Sequence, residues 1–125
     1  MHLYTLINVL IVRHSLKHIN SNLSDTGWVL LAGSTSNGYI YYRKKNGYVT
    51  VKANGSSVYV TTAGSYKTLA TLPSGCRPSI QIDIPCVWLS SNTAQVNLRI
   101  DTSGVIAVWS TISSGYWTTT VTFPV

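Results

Sequence analysis

The fold class is decided by the stretch Leu69-Ala70-Thr71-Leu72-Pro73-Ser74-Gly75-Cys76-Arg77-Pro78-Ser79. In it, Pro73 and Gly75 stop a short apolar run, and Pro78 fixes the backbone just before a new alternating run begins. Farther along the chain, Ile100-Asp101-Thr102-Ser103-Gly104-Val105-Ile106 joins two apolar runs through a loop whose length and composition close a β-hairpin. Both stretches are therefore predicted to be turns of an all-β domain.

Short apolar runs separated by turn residues continue on both sides of these turns. Asn46-Gly47 is the strongest hairpin signal, and Asn54-Gly55 repeats it. About nine strands are predicted in this way, over residues 28–32, 39–45, 48–53, 58–61, 65–72, 79–84, 94–100, 105–111 and 117–123. Strands at this even spacing, without helices between them, predict a β-sandwich or jelly-roll-like barrel that spans residues 25–125.

Alternation within two of these strands predicts which side chains enter the core. Ile80, Ile82 and Ile84 fall on one face of the strand over 79–84, so that face is expected to be buried. The same pattern directs three residues of the strand over 94–100 inward: Val96, Leu98 and Ile100. Val87–Leu89 could continue the earlier strand past Pro85, which is expected to mark an edge or a bulge.

Residues 1–24 hold the one predicted helix. Its apolar residues recur at steps of three and four and form an a/d seam about two heptads long: Val9, Val12, Leu16, Ile19 and Leu23. A secretory signal would need a basic start and a small-residue cleavage site, and a membrane span would need about 20 apolar residues, whereas this run stops at Arg13. The favoured interpretation is the end of a trimeric coiled-coil stalk, with no membrane insertion.

Several short motifs stand in an order that resembles one family. They are the entry Ile19-Asn20-Ser21-Asn22-Leu23-Ser24-Asp25-Thr26-Gly27-Trp28, the two turn stretches above and the terminal Thr122-Phe123-Pro124-Val125. Over roughly residues 19–125 the chain thereby resembles the C-terminal receptor-binding head domains of bacteriophage and prophage tail fibres, especially those directed at Gram-positive hosts. Cys76 departs from the pattern, which would place an aromatic residue there.

The resemblance implies a β-rich head that assembles as a homotrimer and recognises a bacterial cell-surface saccharide without catalysis. It also implies a place in the phage virion, in the tail, after assembly in the bacterial cytoplasm and in contact with other tail proteins. Two alternatives stay open. One is a structural trimerising or capping domain of a virion or baseplate protein, and the other is a secreted lectin-like module of a bacterium.

The ionisable residues are few and mostly positive. Nine Lys and Arg stand against three Asp and no Glu, which gives a formal net charge of +6 and favours anionic partners. The chain has no RNP-type strand, zinc-finger spacing or helix-turn-helix pattern, so a teichoic-acid-like polymer or acidic glycan is expected rather than nucleic acid. Arg43-Lys44-Lys45 at the predicted hairpin tip is the candidate contact for such a partner; its other interpretation is solubility and protection against strand pairing.

The three carboxylates do not suggest an enzyme. A glycosidase normally needs two carboxylates at a defined separation. Asp25 and Asp101 stand in turn sequences, where Asp caps backbone amides. Asp83 falls mid-strand on the solvated face, where pairing with a neighbouring strand is favoured over catalysis. The protein is therefore predicted to be non-enzymatic.

The histidines and cysteines lie too far apart in the sequence to suggest chemistry. His2, His14 and His18 all precede the β domain, so no base is expected beside Cys76 or Cys86. His14 and His18 could share a metal at their i,i+4 spacing, but no third ligand is nearby, and neither a metal nor another cofactor is predicted. The cysteines bracket a predicted strand whose ends lie roughly 25 Å apart, which predicts two buried free thiols.

Aromatic residues provide the best case for a binding site, because the chain has four Trp and eight Tyr. The apolar face of a sugar ring packs on such side chains, while its hydroxyls bond polar groups. Trp88, Tyr116 and Trp117 border predicted loops, although a Trp in a small sandwich usually lies in the core. Trp28 is assigned to the core or the neck of the domain. The predicted saccharide-binding residues are Trp88, Trp117, Tyr116, Arg77, Asp83 and Arg99.

Overall fold

The computed structural model describes residues 24–34, 38–55, 63–113 and 115–125. Within these ranges the chain forms nine β-strands and no helix. In chain order they are β1 (Val29–Ser34), β2 (Gly38–Lys45), β3 (Tyr48–Gly55), β4 (Lys67–Thr71), β5 (Ile82–Pro85), β6 (Val87–Trp88), β7 (Val96–Ile100), β8 (Val105–Ser110) and β9 (Trp117–Pro124). The predicted helix with its seam from Val9 to Leu23, and the predicted strand over 58–61, lie outside the described residues.

The strands form two antiparallel sheets that share one core. One sheet has five strands in the order β1-β2-β3-β9-β6, and the other has four in the order β4-β8-β7-β5. The prediction of an all-β, sandwich-like fold is therefore confirmed. The largest fully buried apolar side chains come from both sheets and from the turn after β4: Trp117, Ile40, Leu72, Leu98, Ile100, Ile106, Val49, Val51, Val96 and Val108.

Two-residue alternation explains how each sheet presents an apolar face to the other. In β3, every second residue from Val49 to Ala53 is fully buried. In β7, the three residues predicted to point inward, Val96, Leu98 and Ile100, are at most 1% exposed, which confirms that prediction. Full burial of one such side chain stabilises the fold by about 1.5–3 kcal/mol.

The hairpin between β2 and β3 forms at Asn46-Gly47, as predicted. The two residues have φ angles of 54° and 78°, which the tight two-residue turn requires and which Asn and Gly adopt at low cost. Asn54-Gly55, predicted to be a second such turn, instead lies within β3 and pairs with strands on both sides. Gly55 is needed there for space, because a Cβ would overlap the indole of Trp117 on β9.

The turn after β4 packs directly against the turn between β7 and β8. The Leu72 N–H donates to the Gly104 carbonyl at 2.8 Å, and Arg77 Nε donates to the Leu72 carbonyl at 3.0 Å. Asp101 Oδ1 accepts from the Val105 N–H at 3.0 Å and from one further backbone N–H at 2.9 Å. Both turn predictions, and the amide-capping role of Asp101, are confirmed.

The strand predicted over residues 79–84 is shorter than expected. It begins at Ile82, because Ile82 pairs with Ile100, the last residue of β7, and the residues before it have no partner among the described strands. Ile80, predicted to lie in the core, is 73% exposed. Ile82 and Ile84 are half-buried and pack against the core.

Past Pro85 the chain leaves one sheet and joins the other. Pro85 ends β5, which is an edge strand as the proline predicted. Val87–Trp88 then pairs with β9 in the five-stranded sheet, so it does not continue β5. The crossing residue, Cys86, is held by its N–H, which donates to the Val96 carbonyl at 2.8 Å.

Both cysteines are free thiols. Cys76 is buried as predicted, whereas Cys86 is only half-buried. Burial raises the pKa of the Cys86 thiol to about 12, so the group is protonated at neutral pH. A protonated thiol is a poor nucleophile and a poor metal ligand. Cys86 packs against the core at the crossing between the sheets.

Candidate functional site

The outer face of the five-stranded sheet carries neighbouring aromatic side chains. Ile40 of β2 is fully buried, so Tyr39 and Tyr41 on either side of it point away from the core. Their rings stack with centroids 5.9 Å apart and 30° between their planes. Tyr41 lies opposite Lys52 of β3, and Tyr39 lies opposite Asn54, so the four side chains are neighbours on one surface.

Trp28 extends this aromatic surface at the edge of the sheet. It is 50% exposed, so of its two predicted places, the core or the neck of the domain, the core is wrong. The turn before it fixes its position: Gly27, with a φ of 66°, donates its N–H to Asp25 Oδ1 at 2.8 Å. Arg43 holds the same carboxylate through Nε at 2.9 Å and Nη2 at 2.6 Å. The predicted amide-capping role of Asp25 is confirmed.

Two shallow depressions lie on this surface and meet at Asn54. The first has a volume of about 260 Å³ and is lined by Trp28, Tyr41, Lys52 and Asn54. The second, also of about 260 Å³, lies where β2 begins and β3 ends, and its lining residues are Gly38, Tyr39, Asn54, Gly55, Leu89, Tyr116 and Trp117. We call the continuous surface the aromatic face, defined by Trp28, Tyr39, Tyr41, Lys52, Asn54 and Tyr116.

Asn54 presents a fixed hydrogen-bond donor at the centre of the aromatic face. Its Oδ1 accepts from the Tyr39 N–H at 3.0 Å, so its NH₂ group is the part left for a ligand. On the β9 side, Thr118 lies opposite Asn54 and Thr120 lies opposite Lys52. Hydroxyl groups therefore border the aromatic face along one side.

Lys52 brings an uncompensated positive charge to the aromatic face. The chain has three acidic residues, and each is engaged elsewhere: Asp25 with Arg43, Asp83 with Arg99 and Asp101 with backbone amides. Hydrogen bonds from these arginines hold the pKa of Asp25 and of Asp83 below the usual range, so both stay ionised. The Lys52 side chain is exposed, and no side-chain hydrogen bond or ion pair joins its ammonium group to any described residue.

The three predicted aromatic ligand residues have different environments. Tyr116 is 57% exposed and lines the second depression, so it belongs to the aromatic face. Trp117 is only 1% exposed, because alternation in β9 turns it inward with Phe123, so it has the core position usual for a Trp in a small sandwich rather than a position open to a ligand. Trp88 is half-buried against the core, and its Nε1 donates to the Asn92 carbonyl at 2.5 Å.

The three predicted polar ligand residues hold the fold together at other places. Arg77 closes the turn after β4 by donating to the Leu72 carbonyl, and its side chain lies against Gly104 of the neighbouring turn. Asp83 and Arg99 are cross-strand partners in the four-stranded sheet, with Arg99 Nε 2.8 Å from Asp83 Oδ1, and the guanidinium lies 4.1 Å from the centroid of the Tyr66 ring. The prediction that Asp83 pairs with a neighbouring strand is confirmed. This pair lies in the other sheet, away from the aromatic face.

The predicted basic patch at the hairpin tip is partly neutralised. Arg43 pairs with Asp25, and Lys44 Nζ donates to the Gly75 carbonyl at 3.0 Å. Lys45 is exposed and close enough to Asp25 to help lower the pKa of that carboxyl. The patch therefore presents less positive charge to a partner than its sequence suggests.

Sequence reasoning missed five residues of the aromatic face: Trp28, Tyr39, Tyr41, Lys52 and Asn54. A signal for two of them exists in the order Tyr39-Ile40-Tyr41 before a hairpin turn, since two Tyr that flank an Ile share the face opposite to it. The strand pairing then places Lys52 and Asn54 beside them.

No model of a known protein family matches the sequence, and no curated protein is significantly similar to it. In the described part of the chain, no helix is long and apolar enough to cross a membrane. No three His, Cys, Asp or Glu side chains gather into a possible metal site among the described residues. His14 and His18 lie outside those residues.

Proposed function

We propose that this protein is a non-catalytic saccharide-binding module that holds a glycan on the aromatic face. The observation that carries the proposal is the first depression, where Trp28 and Tyr41 present ring surfaces beside the polar groups of Lys52 and Asn54. A sugar ring has an apolar face that packs on aromatic side chains and hydroxyls that bond polar groups. Both requirements are met within one open groove.

The shape of the aromatic face favours an extended glycan over a small enclosed ligand. Each depression has a volume of about 260 Å³, which is below the roughly 300–1,000 Å³ of pockets that enclose a small molecule. The two depressions meet at Asn54, so a chain of sugars can lie across both. Tyr116 would then contact the part of the glycan farthest from Trp28.

Binding without catalysis is supported by the side chains in the two depressions. Their described lining residues include no Asp, Glu, His or Cys, whereas glycoside hydrolysis normally uses two carboxylates. Asp83, the one carboxylate considered for catalysis, pairs with Arg99 in the other sheet, and this pairing lowers its pKa. A general acid needs the opposite shift.

We place this module at the receptor-binding head of a bacteriophage or prophage tail fibre, where it would recognise a bacterial cell-surface saccharide. The order of the turn motifs supports this placement. The described strands also change sheet four times, between β3 and β4, β5 and β6, β6 and β7, and β8 and β9. Repeated crossing between two sheets is what the jelly-roll-like expectation requires.

The family resemblance implies a homotrimer, and an apolar groove at one end of the sandwich supports this. The groove has a volume of about 170 Å³, and Ile80, 73% exposed, stands in it beside Pro78 and Pro124. Light scattering on the full chain is expected to give about 41 kDa, three times the 13.6 kDa of one chain. A mass near that of one chain at micromolar concentration would contradict the trimer.

The double variant Trp28→Ala/Tyr41→Ala tests the proposed site. The wild-type protein is expected to bind glycans on an array of bacterial surface polysaccharides. The variant should bind the best of them about 100-fold more weakly, because each stacking ring contributes about 1–2 kcal/mol. Titration calorimetry with that glycan measures the change.

Tyr48→Ala is the matched control for this test. Tyr48 is 54% exposed and lies in β3, but it lines neither depression, so its removal is expected to change the affinity by less than about twofold. Unchanged binding by the double variant would remove the aromatic face as the site.

If the wild-type protein binds no glycan, the second candidate function becomes the better one. That function is a structural trimerising or capping domain of a virion or baseplate protein, and the exposed apolar groove at Ile80 favours it. A secreted lectin-like module would also bind a glycan, and it would differ from a tail-fibre head only in its location.

A further inference from the structure

The aromatic face presents hydrogen-bond donors and one positive charge to its ligand, but few acceptors. Lys52 carries three N–H donors and no acceptor. Asn54 uses its oxygen on the Tyr39 N–H, which leaves two further donors. The hydroxyl groups of Tyr41 and Thr120 can donate or accept. A ligand rich in hydrogen-bond acceptors therefore complements this face better than a ligand whose hydroxyl groups must all act as hydrogen-bond donors.

The charge of Lys52 is left for a ligand because no carboxylate side chain in the sequence can neutralise it. The chain contains only Asp25, Asp83 and Asp101. The first two form ion pairs at 2.6 and 2.8 Å, and the third accepts from two backbone amides in a turn. Lys52 is also the cross-strand partner of Tyr41, and both residues line the first depression.

We propose that the glycan bound on the aromatic face is acidic, and that Lys52 pairs with its carboxylate or phosphate group while Trp28 and Tyr41 hold the adjacent sugar ring. This inference rests on the proposed function. A carboxylate or phosphate is an acceptor-only group, so it meets the donors of Lys52 and Asn54 together. The neighbouring rings exclude part of the water, which strengthens the ionic contact.

A single-stranded nucleic acid, the other common ligand of aromatic and basic surfaces, fits this face less well. Such ligands are held by grooves in which several cations follow the phosphate backbone. On the aromatic face Lys52 is the one basic residue among those that line the two depressions, within the described part of the chain. Arg43, on the same side of β2, is already paired with Asp25.

The test compares Lys52→Gln with Lys67→Gln on the full chain. Both variants remove one positive charge, but only Lys52 lies on the aromatic face, whereas Lys67 belongs to β4 of the other sheet. Each protein is applied to an array that carries neutral, uronate-bearing and phosphodiester-linked bacterial glycans, together with a single-stranded oligonucleotide. The best acidic glycan is then titrated by calorimetry at 20 mM and 500 mM NaCl.

Wild-type protein is expected to prefer acidic glycans, and Lys52→Gln to weaken that binding about tenfold at low salt, as loss of one charge-assisted contact predicts. Lys67→Gln should change it by less than about twofold. High salt should reduce the difference. Preference for uronate or for phosphodiester glycans identifies which acidic group Lys52 binds.

Two results would overturn the inference. Equal binding of neutral and acidic glycans, with no effect of Lys52→Gln, would reject the acidic ligand and leave saccharide binding intact. Tighter binding of the oligonucleotide than of any glycan would reject it in favour of nucleic acid. Absence of all glycan binding would instead reject the proposed function itself.

Discussion

Substitution of Trp117 by alanine is expected to lower the free energy of unfolding by about 3–5 kcal/mol. Trp117 is the largest fully buried side chain. It lies at the start of β9, between Gly55 of β3 and Trp88 of β6, and the missing side chain of Gly55 makes room for its ring. Because β-strands on both sides fix the backbone around it, the cavity left by alanine could close only slightly. Urea titration followed by circular dichroism measures the loss.

Trp28→Ala is the matched control, since it removes the same side chain from a position that is 50% exposed. It is expected to cost less than about 1 kcal/mol. Trp117→Phe should also cost much less than Trp117→Ala, because Phe keeps most of the buried area. It also removes an indole N–H for which no described residue supplies an acceptor. Equal losses for Trp117→Ala and Trp28→Ala would show that Trp117 is not a core residue.

Local patterns in the sequence were sufficient to predict the all-β, sandwich-like fold class. Alternation places Val96, Leu98 and Ile100 in the core because each strand has one face toward the other sheet. The turn residues Asn46-Gly47 predict their hairpin because few other residues adopt positive φ at low cost. These signals depend on neighbouring residues only, and no tertiary contact overrides them here.

What depends on strand pairing could not be predicted from local patterns. Asn54-Gly55 has the composition of a turn, but β9 pairs with it along the whole of β3 and keeps it extended. Ile80 alternates with Ile82, yet β7 ends opposite Ile82 and leaves Ile80 in solvent. Strand pairing therefore determines both the extended conformation of Asn54-Gly55 and the exposure of Ile80.

The candidate site also depends on strand pairing, because it combines residues from several strands. Tyr41 and Lys52 become neighbours only when β2 pairs with β3, and Trp28 joins them from the edge of β1. The position of Trp117 beside a predicted loop made it a predicted ligand residue instead. Its place in the alternation of β9, six residues before Phe123, was the available signal that it faces the core.

Substitution of Gly104 by alanine is expected to destabilise the fold by about 3 kcal/mol, from backbone strain together with a steric clash. Gly104 has a φ of 84°, where a residue with a Cβ is strained by about 1–2 kcal/mol. A Cβ would also lie 2.9 Å from the Leu72 carbonyl oxygen and 2.8 Å from Arg77 Cγ. To relieve these contacts, the two turns must separate and weaken the 2.8 Å hydrogen bond from Leu72 to Gly104.

Gly64→Ala separates the two parts of this loss. Gly64 has a similar φ of 78°, but no atom lies within 4 Å of the position its Cβ would take, so this variant is expected to lose only the strain of about 1–2 kcal/mol. The difference between the two variants in urea titration then reports the contact between the turn after β4 and the turn between β7 and β8. An excess loss of at least about 1 kcal/mol for Gly104→Ala is expected from the clash. Equal losses would mean that the two turns fold independently. The stretch Leu72-Pro73-Ser74-Gly75 would then form its turn without support from the turn between β7 and β8.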